Sequence, residues 1–321
     1  MSDIPPPSSA AAVRAPAHRA LRLPAFVRAR LEALLRDRLS PPGARVEDFD
    51  APPLAPALSA ADSVAWQVFK NPVSVFVGGV AAVILELAEP RVRTGVWEHT
   101  TFRTQPLARM QRTAWATMMT VYGPRERAAA LIAAVNRRHA AVAGSTPDGA
   151  PYRATDDALL AWVQATALFG FLEAYDRTVR PLRSDERDAF YAEGQAAARL
   201  YGVAAPPACE ADVALLFEQM RPHLEPSAIV LEFLDIMARL PALPWFARPL
   251  QRWLVRVAIE CLPAWTRERL GLVGPAWTPT RWQRALVRRL ARAADRLALA
   301  THPAVRASRR MGLRGDALYG G

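Results

Sequence analysis

Apolar residues recur at the three-to-four-residue spacing of amphipathic helices along almost the whole chain, and no run alternates as a strand does. Helix breakers such as Asn71-Pro72, Glu89-Pro90 and Gly123-Pro124 separate these segments. The pattern predicts helices over residues 24–39, 61–69, 72–88, 106–122, 124–143, 155–179, 184–201, 210–221, 226–239, 243–261 and 279–300. We therefore expect an all-α fold built as a single large helical domain.

Composition divides the chain into four parts. Residues 1–20 are rich in Pro, Ala and Ser and are predicted to form a disordered tail. Residues 21–59 hold an amphipathic helix, with Phe26, Leu31, Leu34 and Leu35 on one side, and a proline-rich linker. Residues 60–275 form the main helical domain, and residues 276–321 form a basic amphipathic helix and tail. The full length of 321 residues suffices for a sizeable core.

Charge and cysteine usage exclude several classes of protein. The formal net charge of +11 comes almost wholly from arginine, because Lys70 is the only lysine. The two cysteines are far apart and have no disulfide-scaffold or zinc spacing. The arginines are spread over many helices without a nucleic-acid-binding motif, so we expect no nucleic-acid partner. P-loop, GxGxxG, HExxH and GxSxG motifs are also missing from the sequence.

Targeting signals are weak. The longest charge-free stretches, residues 71–85 and 158–172, fall short of the roughly 20 residues that span a membrane. The N-terminus lacks the apolar region of a secretory signal. We expect a cytoplasmic protein, with peripheral membrane association as the alternative.

One histidine stands among apolar helix positions. His139 follows Val135 by four residues and precedes Val142 by three, so the periodicity turns it toward the core while Arg137 and Arg138 face solvent. Gly144 is the predicted end of that helix. A buried imidazole needs partners for one donor and one acceptor. His139 is therefore either a structural histidine bonded to a carbonyl or carboxylate, or a ligand.

The helix predicted over residues 106–122 carries Arg109 and Thr113 on one edge of its apolar stripe, four residues apart. An arginine in that position can anchor a carboxylate, such as a haem propionate, or can simply cover the core with its stem. Arg112 lies further round the helix. His99 lies in a segment that joins two helices, where it either lines a pocket or caps a helix.

Further short sequence motifs flank these residues along the chain. They are Gly78-Gly79, Gly95-Val96, His99, Phe102-Arg103, Arg109-x-x-Arg112-Thr113, His139 through Gly144, Tyr152 through Asp156, Leu160 through Val163, Glu173-Ala-Tyr175, Leu262-Pro263 and Arg269 through Gly271. The series resembles the rubber oxygenase, or latex-clearing protein, catalytic-domain family, which includes the oxygenase MpaB group. The resemblance covers roughly residues 60–275.

The resemblance implies a globin-like helical core that binds haem b. Characterised latex-clearing members cleave the carbon–carbon double bonds of polyisoprene with dioxygen. His139 then corresponds to the proximal ligand of the haem iron, and Arg109 and Thr113 to catalytic positions of the haem pocket. Arg112 stands where those relatives typically have lysine, and with His99 it is assigned to cofactor binding.

Two departures bear on the substrate. Gln164 occupies a position where many relatives have histidine, and the expected export signal is missing from the sequence. The sequence thus predicts a haem-b-dependent oxygenase acting with dioxygen on an apolar, isoprenoid- or lipid-like molecule rather than on polyisoprene.

The C-terminal helix supports an alternative from another class. Trp282, Leu286, Leu290 and Leu297 oppose a dense arginine face, which is typical of a helix that lies on a membrane surface. A non-catalytic protein docking on membranes through this helix is the alternative function. A terminal helix packed on the core with a solvated basic face explains the same pattern.

Overall fold

Fourteen α-helices and one short hairpin make up the part of the chain that the computed structural model describes, residues 20–319 without 22, 40, 42 and 244–246. The helices are α1 Ala25–Leu39, α2 Val64–Phe69, α3 Pro72–Ala88, α4 Pro90–His99, α5 Pro106–Tyr122, α6 Arg125–His139, α7 Asp157–Thr178, α8 Ser184–Leu200, α9 Glu210–Met220, α10 Ala228–Arg239, α11 Arg248–Cys261, α12 Ala264–Arg269, α13 Arg281–Ala294 and α14 Pro303–Arg310. Strands β1 Ala143–Ser145 and β2 Pro151–Arg153 pair antiparallel. The predicted all-α fold is confirmed. The predicted disordered tail, except for Ala20, lies outside the described residues.

Helices α3 and α7 form the centre of the fold and pack closely along their length. They touch at Gly78 and Gly170, where a β-carbon on Gly78 would lie 2.7 Å from the Gly170 carbonyl oxygen. Two facing glycines thus bring the helix backbones together. The central helices are apolar nearly all round because other helices surround them: α2, α8, α9, α10, α11 and α13 pack against one or both.

The C-terminal segment closes over the start of α3. The Lys70 ammonium, 1% exposed, donates to the Leu318 carbonyl oxygen at 2.7 Å and lies 3.2 Å from the Asp295 carboxylate. Asn71 caps α3, accepting from the Ser74 amide at 3.0 Å, and donates to the Ala291 carbonyl. The only lysine of the chain therefore ties the C-terminal residues to the body.

Several segments differ from the sequence prediction, among them α12 and α14, which it does not contain. The segment before His99 is a helix, α4, and not a connection, because Glu89 caps it and Pro90 occupies its first turn. Helix α6 ends at His139 instead of reaching residue 143. Gly144 is therefore not a helix cap but a residue of β1, paired with Tyr152 of the hairpin.

Helices α1 and α13 show how the two predicted amphipathic segments are placed. Phe26 of α1 is 74% exposed, so this part of the predicted apolar side is largely open to solvent, and the Leu34 and Leu35 side chains lie outside the description. Helix α13 packs on α3, α7 and α11 through buried Gln283, Val287 and Ala291. It is thus a packed terminal helix, as one of the two interpretations of this segment predicts.

Within the described residues, α7 is the one helix long and apolar enough to cross a membrane, and half of its apolar window is buried inside the protein. Helices α3 and α4 pass the same test only as a pair, and they are bent by 110° at their junction.

Candidate functional site

Arg109 and Thr113 share one edge of α5, as the spacing predicts. The Thr113 hydroxyl accepts a hydrogen bond from Arg109 Nη1 and donates to the Arg109 carbonyl oxygen at 3.0 Å. Arg109 is half-buried, and burial lowers its pKa while the Glu86 carboxylate opposes that shift. The pair thus presents a guanidinium whose position a neighbouring hydroxyl restrains.

His139 is the last residue of α6 and is half-buried. Burial lowers its pKa, and the nearby positive charge of Arg109 lowers it further, so the imidazole is neutral at neutral pH. The ring nitrogens are not among the buried side-chain atoms that lack a partner in the described part of the chain, so the structural and the ligand interpretations of this histidine both stay predictions. A neutral imidazole with a free nitrogen is the form in which histidine binds metals.

Glu86 is a site residue that sequence reasoning missed. It lies near the end of the apolar helix α3, and burial raises its pKa to about 7 against the opposing charge of Arg109. A carboxyl with this pKa can take up or release a proton near neutral pH. The sequence signal was available, because Glu86 directly follows the charge-free stretch of residues 71–85.

Glu86, Arg109 and His139 therefore form one electrostatic group. Arg109 acts on the pKa of each of the other two, so three helices, α3, α5 and α6, bring their charged or titratable groups together. Half-buried apolar residues accompany them on α5 and α6: Leu107, Met110, Met118 and Leu131.

Arg112 and His99 lie at the edge of this group. Arg112 is exposed and donates to the Thr101 hydroxyl at 3.0 Å. His99 is exposed at the end of α4, with Nε2 3.3 Å from the Tyr152 hydroxyl. Their assignment to cofactor binding remains a prediction.

Tyr152 holds the hairpin against α4. Its ring is buried, and its hydroxyl also donates to a Glu98 carboxylate oxygen at 3.5 Å. A β-carbon on Gly144 would lie 2.7 Å from this hydroxyl, and one on Gly95 would lie 3.3 Å from the ring. Both glycines make room for Tyr152, which fixes the chain that directly follows His139.

The side chains around His139 suit a cofactor whose metal ion is already coordinated mostly by the cofactor itself. No group of three His, Cys, Asp or Glu side chains in the described part of the chain is arranged to hold a bare metal ion. A neutral imidazole beside an arginine suits a haem group, whose iron receives most of its ligands from the porphyrin. The residues present fit such a group, which His139 would hold through an imidazole nitrogen.

Comparison with known proteins supports the family resemblance that the sequence motifs indicate. The family model described as ER-bound oxygenase mpaB/B'/Rubber oxygenase, catalytic domain, matches residues 66–296. No curated protein and no solved structure matches the chain. The match covers more than half of the sequence and includes Glu86, Arg109 and His139.

Proposed function

Because the chain belongs to the mpaB/rubber oxygenase catalytic-domain family, and is thus an oxygenase domain, we propose that it is a haem-b-dependent oxygenase acting with dioxygen on an apolar, isoprenoid- or lipid-like substrate. One observation carries the haem assignment: His139 is half-buried, and burial together with the charge of Arg109 lowers the pKa of its imidazole, which favours the neutral form that binds metals. When bound, the haem supplies the redox chemistry with dioxygen.

The protein's own residues supply anchoring and proton handling. His139 would hold the haem iron through an imidazole nitrogen, and Arg109 would offer a guanidinium to a haem propionate or to a polar group of the substrate. Thr113 keeps that guanidinium in place through its hydrogen bond. Glu86, half-buried and with a pKa of about 7, holds or releases a proton beside Arg109.

Absorption spectroscopy of purified protein after haem reconstitution tests the cofactor. We expect a Soret band that His139→Ala shifts or abolishes, while His223→Ala, which removes an exposed histidine from the turn Arg221–His223, leaves it unchanged. Iron and haem analysis of the freshly isolated protein gives the stoichiometry. A protein that takes up no haem, or a band identical in His139→Ala, refutes the haem assignment.

The substrate class rests on the half-buried apolar side chains of α5, the helix that carries Arg109, which suit a hydrocarbon better than a polar molecule. We expect an isoprenoid such as squalene to perturb the Soret band in a saturable way and to consume dioxygen. Met110→Glu should weaken this response, because it introduces a charge into the apolar stripe. An equal response to a polar sugar refutes the substrate class.

A peripheral membrane contact is a second candidate, favoured by Trp282. This side chain is 55% exposed and meets Trp253 edge-to-face at 4.7 Å, which makes a two-tryptophan patch beside the arginines of α13. Flotation with anionic liposomes should be reduced by Trp282→Ala and not by Phe26→Ala, which removes an exposed aromatic group elsewhere. Absence of flotation for the unaltered protein excludes the contact.

A further inference from the structure

The central helices α3 and α7 are not covered on every side. Gly79, Val83 and Glu86 are half-buried and recur at the spacing of one face of α3. On α7, Ala167 and Phe171 are half-buried in the same way. The Phe171 ring lies 3.9 Å from the position that a β-carbon on Gly79 would take, so the two half-buried faces border one space.

Helix α5 forms the opposite wall of this space. In the described part of the chain it packs closely on α2, α6 and α14 but on neither α3 nor α7. Its Met110, Ala114 and Met118 are half-buried and share one face. Because Arg109 acts on the pKa of Glu86, the start of α5 lies beside the end of α3. A groove therefore runs between α5 and the central helices, with the candidate site at one end.

Helix α2 closes the other end of the groove. It packs on α3, α5 and α7 and thus joins both walls. The Trp66 ring meets Tyr122 of α5 edge-to-face at 5.1 Å, and the Phe69 ring lies 4.7 Å from the Phe171 ring of α7. Both α2 side chains are buried. The groove is therefore blind, and aromatic rings form its closed end.

Gly79 lies beside this closed end, and packing within the protein does not account for it. Gly78 needs to be glycine because the backbone of α7 lies against it, whereas a β-carbon on Gly79 would meet only a ring carbon of Phe171, at 3.9 Å. Glycine inside a helix is less stabilising than alanine. Glycine at this position keeps space free in the groove at the expense of helix stability.

We propose that the groove holds the apolar chain of the substrate and that Gly79 sets how long this chain can be. The assignment rests on the proposed function, which supplies the apolar substrate. Glu86 and Gly79 are separated by about two helical turns, or roughly 10 Å along α3. The α5 side chains between the two ends are apolar, while the charged and titratable groups lie at the end opposite α2. The reacting end of the substrate is thus placed beside Arg109.

Isothermal titration of the full chain with geraniol and farnesol tests the role of Gly79. Farnesol is longer by one isoprene unit, so its chain reaches the closed end. Gly79→Leu fills the space beside Phe171 and should weaken farnesol binding about tenfold, the effect of roughly two buried methylene groups, while geraniol binding is unchanged. Gly79→Ala should have a smaller effect on farnesol, because a methyl group fills little of the space.

Two further variants complete the experiment. Ala192→Leu is the matched control, because it adds a leucine at an exposed position of α8 and should leave the binding of both alcohols unchanged. Ala167→Leu narrows the groove from α7 and should reproduce the selective loss of farnesol, which keeps the test decisive if Gly79→Leu does not fold.

The outcomes separate this proposal from the proposed function. Equal losses of geraniol and farnesol in Gly79→Leu and Ala167→Leu, or no loss of either alcohol, overturn the role of Gly79 and leave the substrate class standing. A farnesol loss of the same size in Ala192→Leu also overturns it. If neither alcohol binds the unaltered protein, the groove and the isoprenoid substrate class are both overturned. Haem uptake is measured separately by the Soret band.

Discussion

The contact between Gly78 of α3 and Gly170 of α7 makes a quantitative prediction for alanine substitution. A β-carbon on Gly78 would lie 2.7 Å from the Gly170 carbonyl oxygen and 2.7 Å from the Phe171 α-carbon. Both are backbone atoms, so they cannot move without separating the two central helices. A β-carbon on the adjacent Gly79 meets only a Phe171 ring carbon at 3.9 Å, an ordinary contact.

The two alanine variants make the same substitution at adjacent positions of α3, where Gly78 is buried and Gly79 half-buried. Each gains roughly 1 kcal/mol of helix propensity, so this gain cancels when they are compared with each other. Overpacking of a core costs about 1–3 kcal/mol, and the upper end applies to Gly78→Ala because the overlap is with backbone. We therefore expect Gly78→Ala to be about 3 kcal/mol less stable than Gly79→Ala.

Thermal and urea unfolding, followed by circular dichroism, measure this difference. For a chain of this length, about 3 kcal/mol corresponds to roughly 5 °C in Tm. Gly79→Ala should unfold at or above the temperature of the unaltered protein. If Gly78→Ala is as stable as Gly79→Ala, the close approach of α3 and α7 does not exist in solution.

Three further predictions concern titratable groups, of which Lys70 is buried and Glu86 and His302 are half-buried. Burial lowers the pKa of His302 from 6.5 to about 4, so the unfolded chain takes up the proton first as pH falls. The free energy of unfolding should therefore decrease between pH 6.5 and 4, by about 3 kcal/mol at most. His302→Asn retains an acceptor for the Ala304 amide and should flatten this pH dependence, measured by urea unfolding at each pH. Burial raises the pKa of Glu86 from 4.5 to about 7, so the contribution of its protonated carboxyl to stability is present below pH 4.5 and is lost as pH rises through 7, again by about 3 kcal/mol. The stability of Glu86→Gln should not fall in this range, and a pH profile of the variant identical to that of the unaltered protein contradicts the burial of this carboxyl. Lys70→Met leaves the Asp295 carboxylate without its buried partner and should lower the free energy of unfolding by about 3 kcal/mol. The double variant Lys70→Met/Asp295→Asn should recover part of this stability, and an equal loss in the double variant argues against the ion pair.

The helical fold was predictable because most helices carry a periodic apolar face and clear end signals. Helices α3 and α5 have the predicted bounds, since each begins at a proline whose φ angle suits the first turn. The same reasoning fails at Pro90, which the pattern predicts to be a helix breaker although Glu89 caps the helix that Pro90 starts. A proline after an N-cap residue begins a helix as readily as it ends one.

The hairpin after His139 was not predictable from alternation. Each strand has three residues, and all of β1 is exposed, so the hydrophobic pattern carries no period of two. Its position depends on long-range packing, with Tyr152 buried against Gly144 and Gly95. Such contacts join segments that are separate in the sequence.

The site was predictable in part. The shared edge of Arg109 and Thr113 follows from helical spacing and is confirmed by their mutual hydrogen bonds. The prediction that His139 faces inward agrees with its half-buried position. The influence of Arg109 on both Glu86 and His139 depends on how three helices pack, which no local pattern specifies.

His139 lies between the end of α6 and a small hairpin, and this position also determines which backbone amides are exposed to solvent by local unfolding. Amide hydrogens of α3 and α7 lie in the packed centre and should exchange with solvent only on global unfolding. Those of residues 140–153 depend on a two-stranded hairpin with exposed edges and should exchange through frequent local opening. A ligand bound to His139 should therefore be detected first as slowed exchange in the hairpin, while the centre of the fold shows no change.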